Sequence, residues 1–229
     1  MKTALDPHVQ KDHRILKVYQ EARRRYNQGQ RAHHNFEHVL RDLYRALFIA
    51  ETEEPVNYSI LIPSVLLHDI GFFDPGFKTR GHDVAGAEIS RGILSGLGFE
   101  NATIEAVAHC ILAHKGRAAI PLTLEAKILY DADVLEKAGL FALLLGGRLI
   151  WEFQDTLADY LDRETKDREG ELSRGFFTTK GRELDGGRLA RTGALLAELR
   201  TEVQGERKDF QVREEDLWNG PPPGEERVS

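Results

Sequence analysis

Residues 58–71 read YSILIPSVLLHDIG, an almost wholly apolar run that ends in a histidine and an aspartate side by side. A stretch of this length fits a buried helix better than a strand, because strands usually close after four to eight residues. On an ideal helix neighbouring side chains diverge by about 100°, so His68 and Asp69 would point apart. Two readings follow: His68 packs while Asp69 caps a helix end, or the helix stops here and Gly71 lets the chain turn both side chains onto one ion. The apolar approach favours the second, since an ionised carboxylate taken out of water needs a cation or several donors.

Outward from this segment, helical periodicity dominates. Upstream, residues 8–28 and 35–52 carry apolar residues at three- and four-residue steps, among them Phe36, Val39, Leu43 and Leu47 in the second. Downstream, residues 70–81 hold the turn signal Asp74-Pro75-Gly76 and a closing Gly81, and read as a loop. Helices are expected at 82–97, 101–115, 122–137 and 139–159, with Asn101 and Thr123 as N-caps. The stretch 139–151, GLFALLLGGRLIW, is apolar enough for core or for a homodimer face, and core is the expectation. The charged segment 160–178 reads as surface helix and loop, and a last helix at 179–203 is weakened by Asp185-Gly186-Gly187. No segment alternates with period two. The fold class expected is all-α: one helical-bundle domain over 8–204, followed by a disordered or loosely docked tail, 205–229, in which Trp218 is the one anchor.

The totals suit such a domain. The 229 residues are 41% apolar and 30% charged, with a net charge of −6. That balance argues against duplex nucleic acid as partner but not against a small phosphorylated substrate in a local basic pocket. Cys110 is the only cysteine, which leaves no disulfide framework and no Cys-rich zinc site. The first fourteen residues lack a signal peptide's apolar stretch and no run is long enough to span a bilayer, so a cytoplasmic protein with no membrane partner is expected.

Seven of the nine histidines fall between positions 33 and 114. In HHNFEH, His34 and His38 are four apart and share a face on a helix; they can hold one ion together, or one can bind it while the other meets a ligand beside it, or Asn35 can simply cap a polar helix start. In YDADVL, Asp131 and Asp133 point to different sides of a helix; Asp133 is the candidate ligand and Asp131 caps or orients a neighbour. Two histidines and two aspartates form a mixed N/O set that suits Mn²⁺, Fe²⁺ or Mg²⁺, with Co²⁺, Ni²⁺ or Zn²⁺ less specific to it. His109 and His114 are five apart and do not share a face; His82 and His114 are the better candidates for a second metal, for substrate phosphate, or for helix caps. Lys78, Arg80, Lys115 and Arg117 fall in loops or at helix ends where they can meet phosphate, and Arg41 or Arg45 can reach the site from behind His38.

His38, His68-Asp69 and Asp133, embedded in HHNFEHV, LLHDIGFF, HDVAGAEISRGIL, VAHCILAHK and EAKILYDADVLEKAGL, resemble the HD-domain superfamily of metal-dependent phosphohydrolases over residues 30–155. Within it, EAKILYDADVL resembles the YedJ/YpgQ-like branch. The resemblance implies His38, His68, Asp69 and Asp133 as metal ligands, with the His-Asp pair at a helix end. It also implies a nucleotide or similar small phosphoester as substrate. HHNFEH is similar to a segment of the cyclic-nucleotide phosphodiesterases, which implies His34 as a proton donor, although His33 stands where that segment has tyrosine. The mechanism expected is metal-assisted attack of water on phosphorus, with Asp69 also holding the water, His34 or His114 protonating the leaving oxygen, and Lys78, Arg80, His82 or Lys115 binding the phosphate. The alternatives are a non-catalytic nucleotide- or metal-binding signalling module and an HD-type di-iron oxygenase.

Overall fold

The computed structural model describes residues 4–209, and among them it has twelve α-helices, one 3-10 turn and no strand. The expected tail from 210 onward, with Trp218, lies outside the described residues; 205–209 belong to the last helix.

The apolar run becomes α4 (Tyr58–Leu67), the central rod of the bundle. It is apolar all round because helices surround it: α2 (Arg14–Gly29), α3 (Phe36–Ala50), α7 (Asn101–Ala113) and α8 (Leu124–Glu136) all pack on it. Leu61, Ile62, Leu66 and Leu67 are fully buried against Val18, Val39, Leu43, Ile111 and Leu129. The 3-10 turn Ile70–Phe73 and the short α5 (Phe77–Arg80) occupy the expected loop, and α6 (His82–Gly96) runs alongside α7.

A second layer covers one end of this core. α9 (Leu140–Phe153), α10 (Leu157–Arg174) and α12 (Arg188–Asp209) meet around Tyr160, Leu161 and Leu196. The remaining helices, α1 (Asp6–Lys11) and α11 (Thr179–Asp185), pack against α2 and α8. No described helix is long and apolar enough to cross a membrane.

Several expected boundaries move. The 8–28 helix breaks at Asp12, whose extended backbone (φ −146°) lets its carboxylate accept the Arg14 N–H at 3.0 Å. The 139–159 helix breaks at Gln154 (φ 55°), after which Thr156 and Asp159 form a reciprocal capping box for α10. The last helix breaks at Gly186 and Gly187, both at positive φ. Thr123 caps α8 as expected, accepting the Ala126 N–H, whereas Asn101 is already the first helical residue of α7.

Two segments differ in burial from expectation. In 139–151 only Leu145 and Gly146 are buried, while Leu140, Leu144 and Trp151 are more than 70% exposed, so this stretch is not core. Its helix turns one face to a cavity and the other outward. Conversely, the charged 160–178 stretch is mostly α10, which buries Tyr160, Leu161, Arg168 and Glu171; the last two pair at 2.8 Å, so charge enters the interior already neutralised.

Candidate metal centre

The His-Asp pair sits where α4 tightens into the 3-10 turn. His68 keeps helical angles (φ −57°, ψ −39°), and Asp69 shifts to φ −102°, ψ 9°. This change of winding turns both side chains to one point: His68 Nε2 lies 3.2 Å from Asp69 Oδ2. Gly71 is required for closeness rather than for an unusual φ, because a Cβ there would overlap the His82 carbonyl and the Gly86 amide of α6.

HHNFEH does not form one helix. His33 and His34 lie in the bend before α3, and Asn35 caps it, its side chain accepting the His38 N–H at 3.1 Å. His34 and His38 still converge. His38 Nε2 is 3.1 Å from Asp69 Oδ2 and 3.3 Å from His68 Nε2, and His34 Nε2 is 4.0 Å from the same oxygen. Asp42, one turn after His38, adds Oδ2 at 3.4 Å from His38 and 3.6 Å from His68. Candidate ligand atoms of His38, Asp42, His68 and Asp133 all lie within 4.8 Å of one another.

The other oxygen of Asp69 faces a second group. Oδ1 is 3.4 Å from His114 Nε2 and 3.5 Å from His82 Nε2, and those two nitrogens are 3.3 Å apart. Asp69 thus joins two clusters, one oxygen to each. His109 is turned away and accepts the Leu122 N–H at 3.4 Å.

Hydrogen bonds behind the rings set which nitrogen faces inward. His68 Nδ1 donates to the Val65 carbonyl at 2.8 Å and His114 Nδ1 to that of Ile111 at 2.5 Å. His38 Nδ1 faces Glu136 Oε1 at 3.2 Å, and Arg41 and Arg45 hold that carboxylate. With Nδ1 committed, the neutral rings present Nε2 lone pairs to one another, an arrangement satisfied by a cation between them. The carboxylates fit the same occupant: Asp42 Oδ2, Asp69 Oδ1 and Asp133 Oδ1 are buried and have no hydrogen-bond partner among the described residues. Asp133 gives its other oxygen to Lys137 at 2.8 Å and Lys115 at 3.1 Å, and Arg45 holds the other oxygen of Asp42 at 2.7 Å. Buried imidazole and carboxylate donors in this number suit a divalent ion.

The electrostatics agree. Burial pushes the Asp42 carboxyl up to about 6. Burial would also raise Asp69, but His68 and the other imidazoles outweigh it and hold Asp69 well below its ordinary value. For His38 burial opposes charge, yet Asp42, Asp69 and Glu136 overcome it and raise the ring well above its usual range, so the field at this point favours positive charge.

The centre opens into a cavity of about 330 Å³ whose lining includes His34, His82, Lys78, Lys115, Arg117 and Lys137. His34 and His82 flank the Phe72 ring, each with its centroid 4.0 Å from it. Glu152 of α9 takes the backbone N–H groups of His33 and His34 at 2.7 and 3.0 Å and His34 Nδ1 at 2.5 Å. Arg80 does not line the cavity; it is exposed and pairs with Glu88. Asp131 accepts the Phe177 and Thr178 N–H groups and holds the start of α11. Asp42, Glu136, Lys137, Glu152 and the wall from α9 to α12 were not anticipated, although Asp42 carries a readable signal: it lies four residues after His38, on the same face.

Residues 35–138 match the family model of the HD domain. No curated protein matches the sequence. Solved structures share the fold. A predicted HD superfamily hydrolase from an uncultured Thermotogales bacterium is 24% identical, with 84% of this chain and 92% of that one covered at a TM-score of 0.52. A Lactobacillus plantarum protein is 14% identical, with 85% and 98% covered at 0.68. A Listeria innocua protein is 14% identical, with 89% and 99% covered at 0.55.

Proposed function

This is an HD-domain protein, and from that premise we propose that it is a metal-dependent phosphohydrolase cleaving a phosphoester or phosphoanhydride bond of a small molecule. The observation that carries the reading is Asp69: a fully buried carboxylate with one oxygen toward His38 and His68, the other toward His82 and His114. His38, Asp42, His68, Asp69 and Asp133 would hold one divalent ion, and Asp69, His82 and His114 a second. Such an ion supplies Lewis acidity and brings the pKa of a coordinated water toward neutrality.

The protein's own groups do the rest. Glu136 and the Val65 and Ile111 carbonyls fix the ligand rings. Lys115 and Lys137 offset the charge of Asp133, and with Lys78 they draw a phosphate to the cavity floor. His34 has Nδ1 committed to Glu152, so it exchanges protons at Nε2 alone, taking one from the attacking water's side and passing it to the leaving oxygen. His114, the other expected acid, turns its Nε2 to Asp69 and His82 and stands in a ligand's position.

The resemblance to the YedJ/YpgQ-like branch adds nucleotides to the substrates to be tried. Release of phosphate and pyrophosphate is measured from nucleotides and simple phosphate monoesters with Mn²⁺ added, for wild type and Asp69→Ala. Turnover by wild type alone is expected; metal-dependent turnover retained in Asp69→Ala contradicts the reading. A di-iron oxygenase is the second reading, favoured by the closeness of His82 and His114. It predicts oxygen uptake by the iron-loaded protein and no phosphate release.

A further inference from the structure

The cavity over the metal centre has two chemically different ends. Beside the centre stand the imidazoles and lysines. On the other side α9 gives Leu143, Leu145 and Leu149, α10 gives Tyr160 and α12 gives Leu196, with Phe153 between the two, its ring centroid 5.7 Å from that of His34. The charged groups of the far wall are ion-paired among themselves: Arg163 pairs with Asp155 and Glu164, Arg168 with Glu164 and Glu171, and Arg117 with Asp167, which leaves two guanidinium nitrogens, Arg163 Nη2 and Arg168 Nε, without a hydrogen-bond partner among the described residues. Thr192 is also engaged, its hydroxyl bonding to Gly139 and to the Arg188 carbonyl. Cationic charge is left for a ligand chiefly at the metal end, where Lys78 has no ion-pair partner among the described residues.

A nucleobase carries several donors and acceptors, and each one buried without a partner costs binding energy. Among the described residues the far wall offers a base only the Tyr160 hydroxyl and those two guanidinium nitrogens, so all but one of its unbonded groups are donors, and the base's own N–H groups find little to accept them. An apolar group meets no such cost there and gains from each methylene removed from water. The volume of about 330 Å³ is at the small end for ligand pockets, which limits that group to modest size. Resting on the phosphohydrolase reading, we infer that the substrate is a phosphate monoester of an apolar alcohol, an alkyl or aryl phosphate, rather than a nucleotide. Hydrolysis breaks the bond between phosphorus and the ester oxygen and forms one from phosphorus to a water oxygen. One water proton passes to the ester oxygen through His34 Nε2, giving the free alcohol and inorganic phosphate.

The test separates binding from turnover. Calorimetry on the Mn²⁺-loaded protein measures the affinity of straight-chain alkylphosphonates from ethyl to octyl, whose carbon–phosphorus bond resists hydrolysis, with adenosine monophosphate alongside. Affinity is expected to rise roughly two- to fourfold per methylene and to exceed that for the nucleotide at the longer chains. Leu149→Asp is expected to shrink the octyl-to-ethyl ratio roughly tenfold. A flat chain-length series in wild type, or tighter binding of the nucleotide than of every alkylphosphonate, overturns the inference whatever the variant does. Phosphate release from the matching alkyl phosphates is then measured. A chain-length gradient in binding with no hydrolysis of any phosphate tried overturns the phosphohydrolase reading and leaves the ligand class standing.

Discussion

Asp42 and Glu136 are buried to within 1% of complete, yet in the sequence each stands among charged neighbours in the manner of a surface residue. Their meaning lies in partners distant along the chain: Glu136 of α8 closes on His38, Arg41 and Arg45 of α3. Because Glu136 orients the His38 ring, Glu136→Gln should weaken Mn²⁺ affinity about 10- to 100-fold, measured by competition with a chelating dye; unchanged affinity would remove Glu136 from the metal's support. His38, His68, Asp69 and Asp133 were legible for the opposite reason. Three of them are polar residues next to apolar runs, where burial demands a partner. The family resemblance then fixed their order. Arg80 misled because position in a loop says nothing about direction, and its guanidinium reaches Glu88 instead of the cavity.

At the scale of elements, helix type was readable nearly everywhere and layer was not. Periodicity marks α3, and the unbroken apolar run marks α4 as central. For α9 and α10 the same logic inverts. The apolar residues of α9 divide between cavity wall and exposed face, while α10 carries paired charges inward, so composition alone assigns both to the wrong side. The junction of α4 and α6 gives a sharp test. Gly71→Ala forces a methyl group against the α6 backbone and should cost about 1–3 kcal/mol of stability or more, with loss of metal affinity, because the turn that aims His68 and Asp69 must open; denaturant melts and metal titration check both. At the start of α10, Thr156→Ala removes the capping box and should cost about 1 kcal/mol without changing metal affinity.

For the whole molecule, the bundle gathers carboxylates and imidazoles from α3, the α4 end, α6, α7 and α8 at one buried point. A ligand that binds only the folded chain stabilises it, by about 2.7 kcal/mol at a hundredfold excess over its dissociation constant. Mn²⁺ should therefore raise the melting temperature and EDTA lower it, and Asp69→Ala should abolish the difference. Acid stability has a separate signature. Burial opposes the Glu152 charge, but His34 and the backbone N–H groups of His33 and His34 outweigh it and push the carboxyl down from 4.5 to about 2. A carboxyl held low in the folded state contributes stability above its unfolded value and loses it as pH falls through the folded one. The unfolding free energy should thus decline between about pH 4.5 and 2, and Glu152→Gln should flatten that decline in denaturant titrations.

The most direct test of the account is the metal content of wild type and Asp69→Ala after loading with Mn²⁺ and removal of free ion. Since Asp69 gives one oxygen to each histidine cluster, the account predicts two ions per chain in wild type and loss of both in the variant. A variant that keeps its metal, or a wild type that retains none of any divalent ion tried, would contradict it.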